Sequence, residues 1–278
     1  MLRIGDYNRL QVVKEVDFGM YLKSDQGEIL LPKKYIEPGT EVDQFVNVFV
    51  YTDSEDRLIA TNLKPKAVVD EFAAMKVKHT TDFGAFLDWG LEKDLLVPFR
   101  EQHRRLKVGD TAVVRVSLDH KTNRVIGVGK LAPFINKDVS GLEEGQKVDL
   151  LIYDFTDLGI LALINEEYSG MLYANEVFEE LEIGDRKEGY IKKIREDGKI
   201  DLALQKQGYG AVKDSTEGIL ESLKKSGGYL PYHDKSDPDE IQKVFKMSKK
   251  TFKKAIGSLY KEGNIRIDDK GISLINSD

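Results

Sequence analysis

The chain has no cysteine, which excludes disulfides, thiolate-bound zinc, iron–sulfur clusters and cysteine nucleophiles. Its four histidines, His79, His103, His120 and His233, show no pairing at metal-ligand spacing, and none sits in a motif with a nucleophile. No G-x-x-x-x-G-K-S/T loop is present to cradle phosphates, and no G-x-G-x-x-G follows a strand and opens a helix. No run approaches the roughly 18 apolar residues of a membrane span, and Met1-Leu2-Arg3-Ile4-Gly5-Asp6 lacks the apolar core of a secretory signal. The expectation is a cytoplasmic protein with no membrane partner. An excess of positive charge is missing as well. The 42 Lys and Arg against 48 Asp and Glu leave a net charge of −6, so any nucleic-acid site has to be a local patch. Acid pairs such as Glu166-Glu167 and Glu179-Glu180 read as solvated surface in a chain that is 32% charged. These absences predict a protein that is not an enzyme and that needs no metal or cofactor.

What the 278 residues do contain is a threefold internal repeat, the pattern to seek before any other. Its anchors are Asp17-Phe18-Gly19-Met20-Tyr21, Asp82-Phe83-Gly84-Ala85-Phe86 and Asp157-Leu158-Gly159-Ile160-Leu161. A second glycine follows in each unit, at Gly39, Gly109 and Gly184, and between the glycines lie the short apolar segments 29–32, 95–98 and 170–173. In the second unit, β-branched or alternating runs predict strands near Ala74–His79, Ala85–Trp89, Leu95–Pro98, Thr111–Asp119 and Val125–Gly129. Five short strands in so short a unit favour a closed Greek-key barrel, which buries the edges that an open sheet exposes.

After the glycine-bearing junction Gln207-Gly208-Tyr209-Gly210 the period becomes helical. From Ser215, Ile219, Leu220 and Leu223 form one stripe that stops at Ser226-Gly227-Gly228. Asp237-Pro238 opens a second helix carrying Ile241, Val244 and Phe245, with the aspartate as cap and proline in the first turn. A third begins at Ser248, turns Phe252, Ile256 and Leu259 inward and ends near Glu262-Gly263-Asn264. A hairpin over residues 265–275 completes a pattern that resembles a winged helix. The predicted fold is mainly β with a C-terminal α+β domain. It comprises three tandem five-stranded OB-like barrels over 1–64, 65–133 and a diverged 134–208, then a winged helix over 209–278.

The stretch Thr81-Asp82-Phe83-Gly84-Ala85-Phe86-Leu87-Asp88, followed by Leu95-Leu96-Val97-Pro98-Phe99-Arg100-Glu101, Lys107-Val108-Gly109-Asp110 and Val113-Val114-Arg115-Val116, resembles the S1 RNA-binding domain. Three such units before a winged helix is an order similar to that of the conserved virulence factor B (CvfB/YitL-like) family of bacterial RNA-binding proteins. That resemblance covers essentially the whole chain. It implies a non-enzymatic protein that holds single-stranded RNA and acts in post-transcriptional control.

Unpaired bases stack on aromatic faces while a basic groove tracks the phosphates. Phe18, Tyr21, Phe83 and Phe86 are the stacking candidates, because S1 domains present these positions to RNA; the alternative is that Phe83 or Phe86 packs the barrel. Near them Lys76, Lys78, His79, Arg100, Arg104, Arg105, Arg115 and Arg124 are phosphate candidates, and Asp119 and Arg124 lie where S1 domains place an aspartate and an arginine. Many S1 domains have a histidine on the third strand, where this chain has Pro32, Pro98 and Tyr173. The third unit replaces its aromatic pair with Leu158 and Leu161, which Tyr153, Phe155 and Tyr173 would have to offset.

Charge separates the units. Eight basic against eleven acidic residues give −3 for 1–64, and twelve against nine give +3 for 65–133. Nine against seventeen give −8 for 134–208, and thirteen against eleven give +2 for 209–278. The acidic third unit still carries Lys192, Lys193, Arg195 and Lys199, either a solvated face or one surface shared with the winged helix. In the last domain Lys246, Lys249, Lys250, Lys253 and Lys254 recur at helical spacing, on the element that approaches nucleic acid in helix-turn-helix folds. Lysine binds phosphate as a point charge, and this helix lacks the Arg, Asn and Gln that read base edges, so duplex DNA ranks below RNA. Two other readings stay open: a winged-helix transcription regulator, and a protein-interaction scaffold with degenerate S1 domains.

Overall fold

The computed structural model describes residues 1–205 and 209–275, apart from the side chains of 209–214; Gln207 and Gly208 of the expected junction lie outside the described residues. The chain forms two compact units, Met1–Ile135 and Asn136–Asp278.

The first unit opens with β1 (Asp6–Val16), β2 (Gly19–Ser24), β3 (Gly27–Pro32), β4 (Phe45–Thr52) and β5 (Leu58–Thr61), in the order β1-β2-β3-β5-β4. The β3–β5 pairing is parallel and closes the barrel. Period-two alternation sets the faces: Ile29 and Leu31 are buried while Leu30 and Pro32 remain part-exposed. The next five strands are β6 (Phe72–Thr80), β7 (Gly84–Leu87), β8 (Leu95–Pro98), β9 (Thr111–Asp119) and β10 (Arg124–Val128). They lie within two residues of the runs read from sequence at every end, with β7 stopping at Leu87. Trp89 leaves the strand and points its indole nitrogen at the Ala67 carbonyl, 2.8 Å away. The sheet order β10-β9-β6-β7-β8 repeats that of the first barrel, but no backbone ladder joins β8 to β10. Side chains fill that seam: a methyl group at Gly127 would lie 2.8 Å from the Val97 Cγ2. The expected closed barrel is therefore a five-stranded barrel closed on one seam by packing.

The two barrels share a core. Trp89 meets Phe49 and Tyr51 edge-on, with centroids 5.5 and 6.3 Å away. Burial there pushes the Tyr51 phenol up to about 12.

The second unit holds β11 (Lys147–Phe155), β12 (Gly159–Ile164), β13 (Tyr168–Tyr173), β14 (Arg186–Ile194) and β15 (Ile200–Ala203), again a closed barrel. After it come α1 (Tyr209–Lys225), β16 (Tyr229–Leu230), α2 (Pro238–Phe245), α3 (Lys249–Lys261), β17 (Ile265–Ile267) and β18 (Ile272–Leu274). Helix α1 starts six residues before the expected Ser215 (215 − 209) and gives way to Gly227 and Gly228, both at positive φ. Asp237 caps α2 through the Asp239 and Glu240 amides, and Ser248 caps α3 through the Thr251 amide. Ile219, Leu223, Ile241, Phe245, Phe252, Ile256 and Leu259 form the core of this domain. Val244, read with Ile241 and Phe245 as the apolar residues of α2, is exposed, whereas the other two are buried.

Both repeat glycines acquire a physical reason. Gly19, Gly84 and Gly159 stand opposite Pro32, Pro98 and Tyr173, and a Cβ on them would come within 2.3, 2.2 and 2.2 Å of a carbonyl oxygen of the neighbouring strand. Gly39, Gly109 and Gly184 turn at φ of +85°, +90° and +98°. A third element of the repeat was not visible in the sequence. Each first strand carries a bulge just after Val12, Val77 or Ile152, seven residues before its anchor glycine (19 − 12, 84 − 77, 159 − 152). The bulge lets one long strand bend and pair on both sides of the barrel. Gly84→Ala is expected to cost about 1–3 kcal/mol through backbone displacement. Urea unfolding followed by the fluorescence of Trp89, the single tryptophan, measures this; an unshifted midpoint would mean that the two strands can separate freely.

Candidate nucleic-acid interface

The anchor motif of the second barrel places its two aromatic rings differently. Phe83, in the turn between β6 and β7, is 73% exposed and packs on little. Phe86, on β7, is half-buried and lies parallel to the His79 imidazole, 4.5 Å between centroids and 12° between planes. Phe83 therefore takes no part in the core, and Phe86 forms the floor of a His79–Phe86 stack. His79 Nδ1 lies 3.7 Å from Asp94, whose other oxygen accepts from Lys78 at 2.8 Å.

His79, Phe83, Phe86 and Asp94 form one wall of a cleft of about 500 Å³ within the first unit. The other wall comes from the first barrel: Tyr51, Thr52, Ser54 and Asp56, near the turn between β4 and β5. Two cations reach across. Lys93, from the loop between β7 and β8, donates to the Thr52 and Asp53 carbonyls at 2.9 and 2.7 Å, and burial lowers its pKa. Arg124, at the start of β10, forms a two-pronged pair with Asp56, its Nε 2.7 Å from Oδ1 and its Nη2 on Oδ2. The pair holds the Asp56 carboxyl below and the Arg124 guanidinium above its ordinary value. Asp119 faces Arg124 across the β9–β10 ladder and sits 3.6 Å from Arg100. Neither Lys93 nor Asp56 stood out in the sequence, because each takes its meaning from a partner tens of residues away.

The remaining cations of the second barrel divide. Lys76 is exposed and makes no ion pair among the described residues, and Arg104 likewise. Arg105 covers the Phe99 ring, and Arg100 also pairs with Glu101 at 3.1 Å. Arg115 has little to offer a phosphate: it is largely buried, paired with Asp70 at 2.7 Å and laid over the Phe72 and Phe134 rings. Its role in this structure is packing.

In the first barrel Phe18 is 58% exposed and meets Tyr21 edge-on at 6.3 Å, while the Lys14 ammonium lies 5.6 Å above the Tyr21 ring. Leu158, at the same place in the third barrel, is 70% exposed, with Phe155 exposed nearby in sequence. All three barrels thus hold a large apolar side chain out at the turn after their first strand. The two tyrosines proposed to offset the missing pair have hydrogen-bonded hydroxyls. Tyr153 exchanges a hydrogen bond with Ser169 at 2.8 Å, and the Tyr173 hydroxyl is held by Arg195. The basic run of this barrel is neutralised internally: Lys192 by Glu176, Arg195 by the buried Asp201 at 2.9 Å, Lys199 by Asp197 at 2.7 Å. Lys193 alone of the four is exposed without an ion pair among the described residues.

The winged-helix lysines are arranged otherwise. Lys246 is not on the third helix; it ends α2 in a left-handed conformation, φ 53°. On α3, at about 100° per residue, Lys249, Lys250, Lys253, Lys254 and Lys261 fall within an arc of about 140°. Phe252, Ala255, Ile256 and Leu259 fill the opposite, buried arc. Lys253 lies 3.7 Å from Asp234, and the others make no ion pair among the described residues. Tyr260 belongs to the lysine arc and is 59% exposed, an aromatic ring that the sequence reading passed over although its helical spacing from Lys249 and Lys253 was legible.

Among the described residues no group of three or more His, Asp or Glu is placed to hold a metal ion, and no helix is long and apolar enough to cross a membrane. The family model for the CvfB-like winged helix domain matches residues 217–274, and that for the S1 domain matches 4–63 and 71–127. The protein YitL of Bacillus subtilis is 30% identical over 95% of this chain and 91% of its own length. Conserved virulence factor B of Staphylococcus epidermidis is 29% identical over 98% of this chain and 94% of its own. A crystal structure of a multidomain protein with nucleic acid binding domains from Streptococcus pneumoniae is 26% identical over 98% of each chain, with a TM-score of 0.48. S1 and winged-helix domains are binding folds that suggest a nucleic-acid ligand, and with its matching S1 and winged-helix domains the chain belongs to the conserved virulence factor B (CvfB/YitL-like) family.

Proposed function

We propose that this protein is a non-enzymatic RNA-binding protein that holds single-stranded RNA through several modest contacts along one chain, in the post-transcriptional control of gene expression. The observation that carries this reading is the exposed ring of Phe83 beside the His79–Phe86 stack, an aromatic platform that does little for the fold and faces a cleft containing cations. Stacking on such rings suits unpaired bases of any sequence, whereas a base-paired duplex keeps its faces covered. The lysine arc of α3 supplies phosphate contacts with no side chain suited to base edges, which supports backbone tracking over sequence readout. Linked weak sites gain affinity from effective concentration when one strand spans them. The domains fall at 1–64, 65–133, 134–208 and 209–278 in this reading, the matched family models covering parts of the first, second and fourth.

A labelled single-stranded RNA and a duplex DNA of matching sequence, compared by fluorescence anisotropy at two salt concentrations, test this directly. Preference for the RNA with salt-weakened affinity is expected. Binding of the duplex alone would replace the reading with that of a winged-helix transcription regulator. Binding of neither would favour a protein scaffold.

A further inference from the structure

Each barrel carries an arginine at or beside the turn before its last strand, and each such arginine is held by a carboxylate. Arg57 is held by Asp53 of its own turn, and Arg195 by Asp201 of its own barrel. Arg124 differs, because its partner Asp56 comes from the neighbouring barrel. That carboxylate sits at the edge of the cleft that contains Phe83, Phe86 and His79. Its geometry on the guanidinium, two oxygens on two nitrogens, is the one a phosphodiester adopts on arginine.

We propose that Asp56 is an internal competitor for RNA phosphate, occupying Arg124 in the free protein and giving way when a strand enters the cleft. The inference rests on the RNA-binding reading and adds a regulation to it. The turn is built for this. Asp53 accepts the Glu55 and Arg57 amides at 2.9 and 3.0 Å, and Lys93 fastens the Thr52 and Asp53 carbonyls, so the base of the turn stays fixed whatever Asp56 does. Both members of the Asp56–Arg124 pair are part-exposed, 43% and 47%, so water can replace either partner without burying a charge. Lys93 remains beside the vacated position as a second cation facing an incoming phosphate.

Asp56→Asn removes the charge with little disturbance, because asparagine also tolerates the φ of +62° found at Asp56. The full-length variant should bind a fluorescein-labelled single-stranded oligoribonucleotide about three-fold more tightly than wild type, the size of gain that an exposed ion pair allows. Arg124→Ala should weaken binding, and Asp56→Asn should add nothing in the Arg124→Ala background. Glu55→Gln, which alters charge equally in the same turn but touches Arg57, should leave affinity unchanged. Equal or weaker binding by Asp56→Asn, while wild type binds and Arg124→Ala is impaired, overturns the competitor and leaves the RNA reading standing. So does a gain with Glu55→Gln as large as that with Asp56→Asn, which would mean that only net charge matters. No effect of Arg124→Ala overturns it as well, and a wild type that binds no RNA removes both readings. A thermal melt run alongside separates a loosened fold from a freed arginine, since loss of one exposed ion pair should lower the midpoint by only a few degrees at most while binding tightens.

Discussion

Replacing Phe83 with alanine is expected to weaken single-stranded RNA binding by roughly five- to a hundred-fold while leaving the fold intact. The magnitude follows from base–aromatic stacking, about 1–3 kcal/mol per base. The selectivity follows from exposure: a ring with 73% of its surface in water contributes little buried area to the barrel, so its loss should shift the unfolding midpoint hardly at all. Phe86→Ala would be a poorer probe, because it also removes the floor beneath His79. Anisotropy titration beside a thermal melt checks the pair of outcomes. Undiminished affinity in a folded Phe83→Ala variant would take the platform out of the binding site and leave the lysines as its basis.

The second large effect is expected from α3. Changing Lys249, Lys250, Lys253 and Lys254 together to alanine should weaken RNA binding most at low salt. Every ammonium that pairs with a phosphate in the wild type should, on removal, flatten the plot of log affinity against log salt by about 0.7. If three of the four ammoniums touch phosphate, the slope falls by about 2. These side chains lie on the arc opposite Phe252, Ile256 and Leu259, so the helix should remain docked, and alanine favours helix as well as lysine does. An unchanged slope in the quadruple variant would make this face a solvated surface and no more. Phe83 and the lysines are predicted to fail differently: loss of the ring lowers affinity at every salt concentration, loss of the lysines chiefly where counterions are scarce.

The two effects bear on the charge pattern of the whole chain. A net charge of −6 suppresses non-specific adhesion to nucleic acid, and about half of the described barrel cations, Lys78, Arg124 and Arg195 among them, are already matched by a carboxylate. The α3 arc stands apart because its lysines are mostly unmatched among the described residues. Binding then depends on a few exposed cations and rings, which fits linked weak sites better than one deep site.

The repeat was legible in the chain because strands and tight turns are local: Asp-Phe-Gly, the second glycine and the alternating runs specify each barrel within about 65 residues. Helix caps at Asp237 and Ser248 and the lysine arc of α3 were equally local, since capping and helical spacing act over a single turn or a few. Exposure was not. Sequence could not choose whether Phe83 or Phe86 faces water, nor tell that Arg115 is laid over two aromatic rings. It also could not show that Tyr173 and Arg195 are tied to Asp201, or that β8 and β10 meet by packing rather than by a ladder. The Asp56–Arg124 pair is the extreme case, with partners 68 residues apart in different barrels. Period and propensity describe what a residue does to its own strand or helix; which charge meets which is decided only when separate elements pack, and tertiary structure alone brings those partners together.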